Sequence, residues 1–177
     1  MKKLLLLFTV IAMSALTSCE GPQGPPGFNG SNGTPGFSAE SEVFEVTNVS
    51  FSAANDWFVT YGLDPVILTT DNILVYELVN TNNNIDAWSL LPQIYYFDNG
   101  QAQYNFNFSY DQFSLFLDAD FDLNLLPATF TQQKTFRIVV IPGYSARDAS
   151  SINFENYDEV LKAFNIDDSK IKTLNKK

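Results

Sequence analysis

Apolar and polar side chains alternate along several short stretches of this chain, a pattern typical of β-strands with one buried face. The longest such run follows residues 98–100, where Asn99 and Gly100 tolerate the positive φ angles of a tight hairpin. Its aromatic rings occupy every second position, at Tyr104, Phe106, Phe108 and Tyr110. Alternation or a continuous apolar run predicts further strands at residues 42–52, 56–61, 65–68, 73–79, 88–91, 93–97, 113–117 and 136–141.

Three features indicate how these predicted strands are placed. In the first strand the apolar face changes sides between Val46 and Val49, which predicts a β-bulge near Asn48. The strand at residues 73–79 is apolar on both faces except at Glu77, as expected for a central strand. The two runs on either side of Pro92 form either a strand pair or one strand that is broken at the proline.

One amphipathic helix is predicted near the end of the chain. Asn156 can cap its start, and Glu159 stands three residues later, where it can complete a capping box. Apolar residues recur at helical spacing on one face, at Tyr157, Val160, Leu161 and Phe164. Many short strands and one late helix predict an all-β fold, either an antiparallel β-sandwich or a flattened barrel with one C-terminal helix.

The first 18 residues have the layout of an export signal. Lys2 and Lys3 precede an apolar segment at residues 4–16, which is too short to span a bilayer as a stable helix. The run Leu16-Thr17-Ser18-Cys19 resembles the lipobox of bacterial lipoproteins. This resemblance implies that the sulfur of Cys19 is lipidated and that the peptide is cut just before it. The alternative is an ordinary cleaved signal with an incidental cysteine.

A glycine recurs at every third position from Gly21 to Gly36, as in a collagen triple helix, whose axis admits only glycine. Only the first two triplets are rich in proline, so the alternative is an extended spacer. The spacing G-x-x-G also differs from that of dinucleotide-binding loops. The predicted order is a signal peptide at 1–18, the lipidated cysteine and collagen-like stalk at 19–38, a β-rich head at 39–166, and a polar tail at 167–177 that we expect to fray.

With these motifs, the chain resembles bacterial surface lipoproteins that carry a short collagen-like segment and a β-rich head domain. The resemblance rests on the lipobox and on the glycine triplets that begin two residues after Cys19. It implies that the protein belongs to a Gram-negative cell envelope and that its lipid anchor lies in a bacterial membrane, for which we expect the outer membrane. The head would lie in the periplasm or outside the cell. We expect a monomer, with a trimer as the alternative if the stalk forms a triple helix.

The charge of the chain narrows the classes of partner. It has 20 acidic and 10 basic residues, no histidine, and a formal net charge of -10. No basic residue lies between Lys3 and Lys134. An acidic surface of this kind repels nucleic acid and anionic lipid headgroups, whereas it suits neutral glycans, cations and basic protein surfaces. The single cysteine excludes a disulfide within the chain and a zinc cluster of cysteines.

Side chains that carry oxygen stand at every second position at Asp118, Asp120, Asp122 and Asn124. Oxygen ligands can surround calcium, so the three aspartates are candidate metal ligands. An EF-hand loop, however, needs Gly where this chain has Leu123 and Glu where it has Thr129. Charge on an edge strand prevents edge-to-edge association. We therefore favour a solvated strand at this run and expect no metal and no cofactor.

The aromatic stripe from Tyr104 to Tyr110 has two interpretations. Exposed rings stack on sugars, but a stripe of this kind more often lines the inner face of two packed sheets. We predict the inner face. We likewise place Trp57 and Trp88 in the core rather than in contact with a ligand.

Catalysis has little support in the residue types that are present. Without histidine the chain has no Ser-His-Asp triad and no histidine base. The run at residues 143–147, Gly-Tyr-Ser-Ala-Arg, lacks the last glycine of a nucleophile elbow. Paired carboxylates that cleave glycosides remain possible. We predict a lipid-anchored envelope or surface protein that presents its head for binding or assembly without catalysis. The alternative is a glycan-binding or glycan-hydrolysing surface domain, and the ligand of the head is unassigned.

Overall fold

The computed structural model describes residues 41–83, 85–143, 151–174 and 176. The predicted signal peptide, Cys19 and the collagen-like stalk lie outside these residues, and so does most of the elbow-like run, at residues 144–147. The described chain is mostly β, with two sheets of five and four strands and several short helices. Within the described ranges, no helix is long and apolar enough to cross a membrane.

The strands and helices are numbered in chain order. The strands are β1 (Val43–Val49), β2 (Phe58–Gly62), β3 (Asn72–Asn82), β4 (Ile85–Leu90), β5 (Gln93–Phe97), β6 (Gly100–Phe108), β7 (Gln112–Ala119), β8 (Lys134–Ile141) and β9 (Lys172–Thr173). The α-helices are α1 (Ala128–Thr131) and α2 (Tyr157–Ala163), and short 3-10 turns lie at Ala53–Asn55, Leu123–Leu125 and Asp168–Lys170.

The five-stranded sheet has the order β4-β3-β8-β1-β9. Its neighbours are antiparallel except for β9, which runs parallel to β1. The predicted bulge in β1 is confirmed, because the pairing with β8 shifts between Val46 and Val49 and Asn48 has a φ of 54°. The prediction of an internal strand around Glu77 also holds, since β3 pairs with β4 on one side and with β8 on the other.

The four-stranded sheet has the order β2-β7-β6-β5, and all its neighbours are antiparallel. Phe97 lies opposite Gly100, so residues 98–99 form the tight turn of the predicted hairpin. The strands on either side of Pro92 neither pair nor continue one another, because β4 belongs to the five-stranded sheet and β5 to the four-stranded one. Proline has no N–H for a strand ladder, so the chain passes between the sheets here.

The two sheets share one hydrophobic core. The ring of Tyr104 on β6 lies 5.6 Å from that of Phe136 on β8 and 4.5 Å from that of Phe130 on α1. Phe51, which follows β1, lies 5.9 Å from Tyr104. The Tyr104 hydroxyl donates a hydrogen bond to the backbone oxygen of Phe130. A ring from the four-stranded sheet is thus enclosed by residues of the other sheet and of α1.

Helix α2 lies on the side of the five-stranded sheet that faces away from this core, over a second buried cluster that includes Tyr157 and Val160. The predicted cap is confirmed, since Asn156 Oδ1 accepts a hydrogen bond from the backbone N–H of Glu159 at 3.2 Å. The carboxylate of Glu159, however, accepts from the N–H of Asn153 at 3.1 Å rather than completing the box at Asn156.

Arg137 of β8 joins α2 to the sheet. Its Nε donates to Glu45 at 3.0 Å, and its Nη1 donates to the Tyr157 hydroxyl at 3.1 Å. The guanidinium carbon lies 4.2 Å from the centre of the Trp88 ring. Trp88 therefore packs in this cluster, as predicted, with a cation on one face of its ring.

Two predictions about local structure are wrong, one for residues 65–68 and one for the C-terminal tail. Residues 65–68 form no strand, although the N–H of Ile67 donates to the backbone oxygen of Tyr110 at 2.9 Å. The tail expected to fray instead packs on the domain through β9, and Leu174 is buried. The helix α1 and the 3-10 turns are further short elements beyond the one predicted helix.

Candidate functional site

The outer side of the four-stranded sheet faces solvent. Successive side chains of a strand point to opposite faces, so the burial of Val59, Tyr104 and Leu115 on the inner side places their neighbours on the outer side. We call this outer side the amide face. Its residues are Ile94 and Tyr96 of β5, Gln101, Gln103, Asn105 and Asn107 of β6, Ser114, Phe116 and Asp118 of β7, and Phe58 and Thr60 of β2.

A row of four amide side chains runs along β6 through the middle of this face, from Gln101 to Asn107. Each amide offers an N–H₂ donor and a carbonyl acceptor. The neighbouring strands place different groups beside the row. Gln103 lies between Ile94 and Asp118, whereas Asn105 lies next to Phe116.

Aromatic rings lie on both sides of the amide row. Tyr96 on β5 is 82% exposed. On the other side, Phe58 and Phe116 stack with their ring centroids 5.8 Å apart and their planes at 21°, and Phe58 is 39% exposed. Two strand spacings across the sheet and four residues along it separate Tyr96 from Phe116, a diagonal of about 17 Å.

Side-chain hydrogen bonds connect the strands across the amide face. The hydroxyls of Thr60 and Ser114 lie 2.9 Å apart and join β2 to β7. Gln103 Nε2 donates to Asp118 Oδ2 at 3.4 Å and joins β6 to β7. These contacts hold polar groups of three strands in one plane.

A shallow cavity of about 160 Å³ opens on this face, and Tyr96 is the strand partner of Gln101 in its lining. It is lined by Ile94, Gln101, Ala102, Gln103, Asp118, Ala119 and Asp120. A cavity of about 150 Å³ holds one benzene ring. The cavity therefore has room for a single six-membered ring, with an apolar wall on β5 and polar groups on β6 and β7.

Asp120 closes one end of the cavity because the hairpin turn leaves room for it. Its Oδ1 accepts a hydrogen bond from the backbone N–H of Gln101 at 2.8 Å. Gly100 has a φ of 140°, and a Cβ at this position would overlap that same oxygen. Glycine is thus required here both for its backbone conformation and for the close approach of the carboxylate.

The three predicted metal candidates do not converge. Asp118 is on β7 beside Gln103, Asp120 follows that strand and binds the hairpin, and Asp122 caps the next 3-10 turn. The expected solvated strand is therefore correct for Asp118 alone. The Asp122 carboxylate accepts from the backbone N–H of Asn124 at 3.0 Å and from its side chain at 2.9 Å, and these bonds lower its pKa. Among the described residues, no three His, Cys, Asp or Glu side chains are grouped so as to hold a metal ion.

The aromatic stripe of β6 points away from the amide face. Tyr104 is buried and Phe106 is half-buried against the shared core, so the predicted inner face is confirmed for both. Phe108 and Tyr110, at the end of the stripe, are exposed. Trp57 is partly buried against the core, as predicted.

The amide face was not predicted from the sequence, although the sequence carries one signal for it. Gln103, Asn105 and Asn107 alternate with the aromatic stripe, so burial of the rings exposes the amides. The stacking of Phe58 on Phe116 depends on the pairing of β2 with β7. Alternation within one strand carries no information on that pairing.

Comparisons with known proteins give no relative for this chain: no family model, no curated protein and no solved structure matches it.

Proposed function

We propose that this protein is a lipid-anchored envelope or surface protein whose head, a β-sandwich, binds a ligand through the amide face without catalysis. The observation that carries the proposal is the composition of that face. A sheet surface that serves solubility alone carries many charges of both signs. Here Asp118 is the one charged residue among those that define the face, while Tyr96 and Phe58 expose their rings.

The N-terminal motifs support the anchored location. Each buried methylene of an acyl chain contributes about 0.8 kcal/mol, and two or more chains hold a protein stably at a bilayer. A diacylated Cys19 would meet that condition. The glycine repeat that ends near residue 38 would then separate the anchor from a head whose first strand begins at Val43.

The carboxylates of the face support binding over glycoside hydrolysis. A glycosidase pairs a carboxylate with a carboxyl group that an apolar environment keeps protonated. Asp118 and Asp120, at the cavity, are both exposed, and each already accepts a hydrogen bond from β6. Groups of this kind suit the binding of ligand hydroxyls better than proton transfer to a leaving group.

The anchor is tested by the substitution Cys19→Ser. We expect wild-type protein to fractionate with membranes and to carry acyl mass on its N-terminal cysteine, because only that residue offers a thiol. The variant should remain uncut at that site or become soluble. Ser31→Ala, within the glycine repeat, is the control and should stay with the membrane. An unmodified Cys19 in the intact mass of native protein would contradict the anchor.

The binding surface is tested with full-length protein in mild detergent, on a panel of immobilised neutral, anionic and cationic glycans and of basic and acidic proteins. We expect wild-type protein to bind at least one of these classes. The affinity of the double variant Phe58→Ala/Tyr96→Ala for that class should be at least about tenfold lower, which corresponds to a loss of about 1.4 kcal/mol of binding free energy or more. Tyr110→Ala removes an exposed tyrosine that lies outside the amide face and should bind like wild type. The same affinity for all three proteins would contradict this assignment of the surface.

A further inference from the structure

We infer that the ligand of the amide face is an uncharged glycan chain, one ring of which enters the cavity between Ile94 and Asp118 while its neighbours cross the face toward Phe58 and Phe116. This inference rests on the proposed function and names the ligand class for that same surface. It is carried by the charge of the face, by the type of its polar groups and by the spacing of its rings.

The charge of the face excludes anionic ligands. The strands β2, β5, β6 and β7 all lie in the part of the chain between Lys3 and Lys134, which contains no basic residue. A sulfate, phosphate or uronate on the face would therefore meet no cation of these strands. It would instead approach Asp118 and Asp120 at the cavity, where like charges repel.

The polar groups of the face match hydroxyls. Each amide of Gln101, Gln103 and Asn105 both donates and accepts, and so does a sugar hydroxyl. The Thr60 hydroxyl adds one more group of the same dual character, and it lies 2.9 Å from the buried hydroxyl of Ser114. A cationic ligand would use the carboxylates but leave the donor halves of the amide row without acceptors, so the row as a whole favours a neutral ligand.

The rings supply the apolar contacts that a sugar ring needs. A pyranose presents C–H groups on its faces, which pack against the flat surface of an aromatic side chain. Tyr96, the strand partner of the cavity residue Gln101, offers such a surface, and the Phe58–Phe116 stack offers another about 17 Å away. The cavity of about 160 Å³ takes one ring, so a ligand that reaches both aromatic sites must be an oligosaccharide.

Matched probes test the ligand class. We would measure how far full-length protein, kept in one mild detergent, is retarded in native gels that each contain one polymer. The neutral polymers are derivatives of cellulose, xylan or mannan, and dextran, and the charged polymer is dextran sulfate. Chitin oligosaccharides and their de-acetylated chitosan counterparts would be added as soluble competitors. We expect the protein to bind at least one neutral polymer. It should bind dextran sulfate no better than dextran, and chitosan no better than chitin oligosaccharides.

Three variants locate the binding. Tyr96→Ala and Gln103→Ala should each weaken the binding of the neutral glycan about tenfold. Asp118→Asn keeps the hydrogen-bonding shape but removes the charge, so it should weaken the binding of a neutral glycan less than Tyr96→Ala does, whereas it would weaken the binding of a cationic ligand more than Tyr96→Ala does. Tyr110→Ala is the matched control, and the melting temperature of each variant shows that it is folded.

The outcomes separate the ligand class from the surface. Binding of a charged polymer or a protein that is lost in Tyr96→Ala would overturn the neutral-glycan inference and leave the amide face as the binding surface. Glycan binding that is equal in Tyr96→Ala, Gln103→Ala and wild type would overturn both. Binding by none of the neutral polymers would overturn the inference.

Discussion

Replacing Glu77 with alanine is expected to lower the free energy of unfolding by about 3–5 kcal/mol, because it breaks a buried ion pair by removing one partner. Glu77 is 1% exposed. Its Oε1 lies 2.7 Å from Lys134 Nζ, and its Oε2 accepts a hydrogen bond from the Tyr95 hydroxyl at 2.6 Å. Since Tyr95 belongs to β5 and Glu77 to β3, this carboxylate connects the two sheets through the core.

The expected loss comes from the groups that remain after the substitution. Without Glu77, the ammonium of Lys134 loses its carboxylate partner and keeps its contact with the Tyr104 ring, 5.6 Å from the centroid, while the Tyr95 hydroxyl loses its acceptor. Glu77→Gln keeps an acceptor for Tyr95 but removes the charge, so it should cost less than Glu77→Ala. The double variant Glu77→Leu/Lys134→Met should recover most of the loss, because it removes both charges together.

An exposed ion pair of the same length provides the control. Lys172 Nζ lies 2.7 Å from Glu42 Oε1, but these side chains are 51% and 29% exposed. Glu42→Ala should therefore cost less than about 1 kcal/mol. Denaturant unfolding of both variants measures the difference. A loss below about 1 kcal/mol in Glu77→Ala would show that burial adds little to this ion pair.

The local features of this fold could be predicted from the sequence because they depend on neighbouring residues. The bulge in β1 follows from the change of apolar face between Val46 and Val49, and the turn between β5 and β6 follows from Asn99-Gly100. The start of α2 follows from Asn156, whose side chain caps the helix. In each case a few adjacent residues determine the backbone.

Long-range pairing could not be predicted in this way. Alternation identifies β4 and β5 as strands, but their assignment to different sheets depends on contacts with β3 and β6. The polar composition of the last residues favours fraying, yet two backbone pairs with β1 and the burial of Leu174 are enough to place β9 at the edge of the sheet. Tertiary contacts here override a weak local preference.

The sequence indicates the polar part of the candidate site but not its aromatic part. The run from Gln101 to Asn107 showed that amides and rings occupy opposite faces of one strand, and the residue type indicated that the rings are inside. The aromatic groups on the outer face come from three other positions, Phe58, Tyr96 and Phe116, on strands that meet only in the folded sheet. Each of them alone resembles an ordinary core residue.

A second large effect is expected at alkaline pH, where the protein should unfold between about pH 11 and pH 12. Burial raises the pKa above the ordinary value of 10.0 for Tyr61, Tyr76, Tyr95, Tyr104 and Tyr157. For Tyr157 it rises to about 12, because burial outweighs the opposing effect of Arg137. For Tyr95 the hydrogen bond to Glu77 adds to the effect of burial.

The sign of this effect follows from the protons that each state binds. Below pH 10 these tyrosines are neutral in both states, and their contribution to stability is fully present. Above pH 10 the unfolded chain loses phenolic protons that the folded chain retains, so stability falls until the folded-state pKa is reached, about 12 for Tyr157. Each tyrosine whose folded-state pKa lies well above 10 removes up to about 1.4 kcal/mol per pH unit, so several of them together remove several kcal/mol per pH unit, which is comparable to the whole stability of a domain.

Denaturant unfolding at a series of alkaline pH values, followed together with tyrosinate absorbance, measures this loss. Tyr61→Phe removes one buried phenol and should therefore reduce the slope of stability against pH above pH 10. Tyr96→Phe is the matched control for removing a phenol, at a position that is 82% exposed. High salt screens the general repulsion of a chain with a net charge of -10, so the slope that remains in salt reports the buried groups. Equal slopes in Tyr61→Phe, Tyr96→Phe and wild type would contradict burial of the tyrosines as the cause.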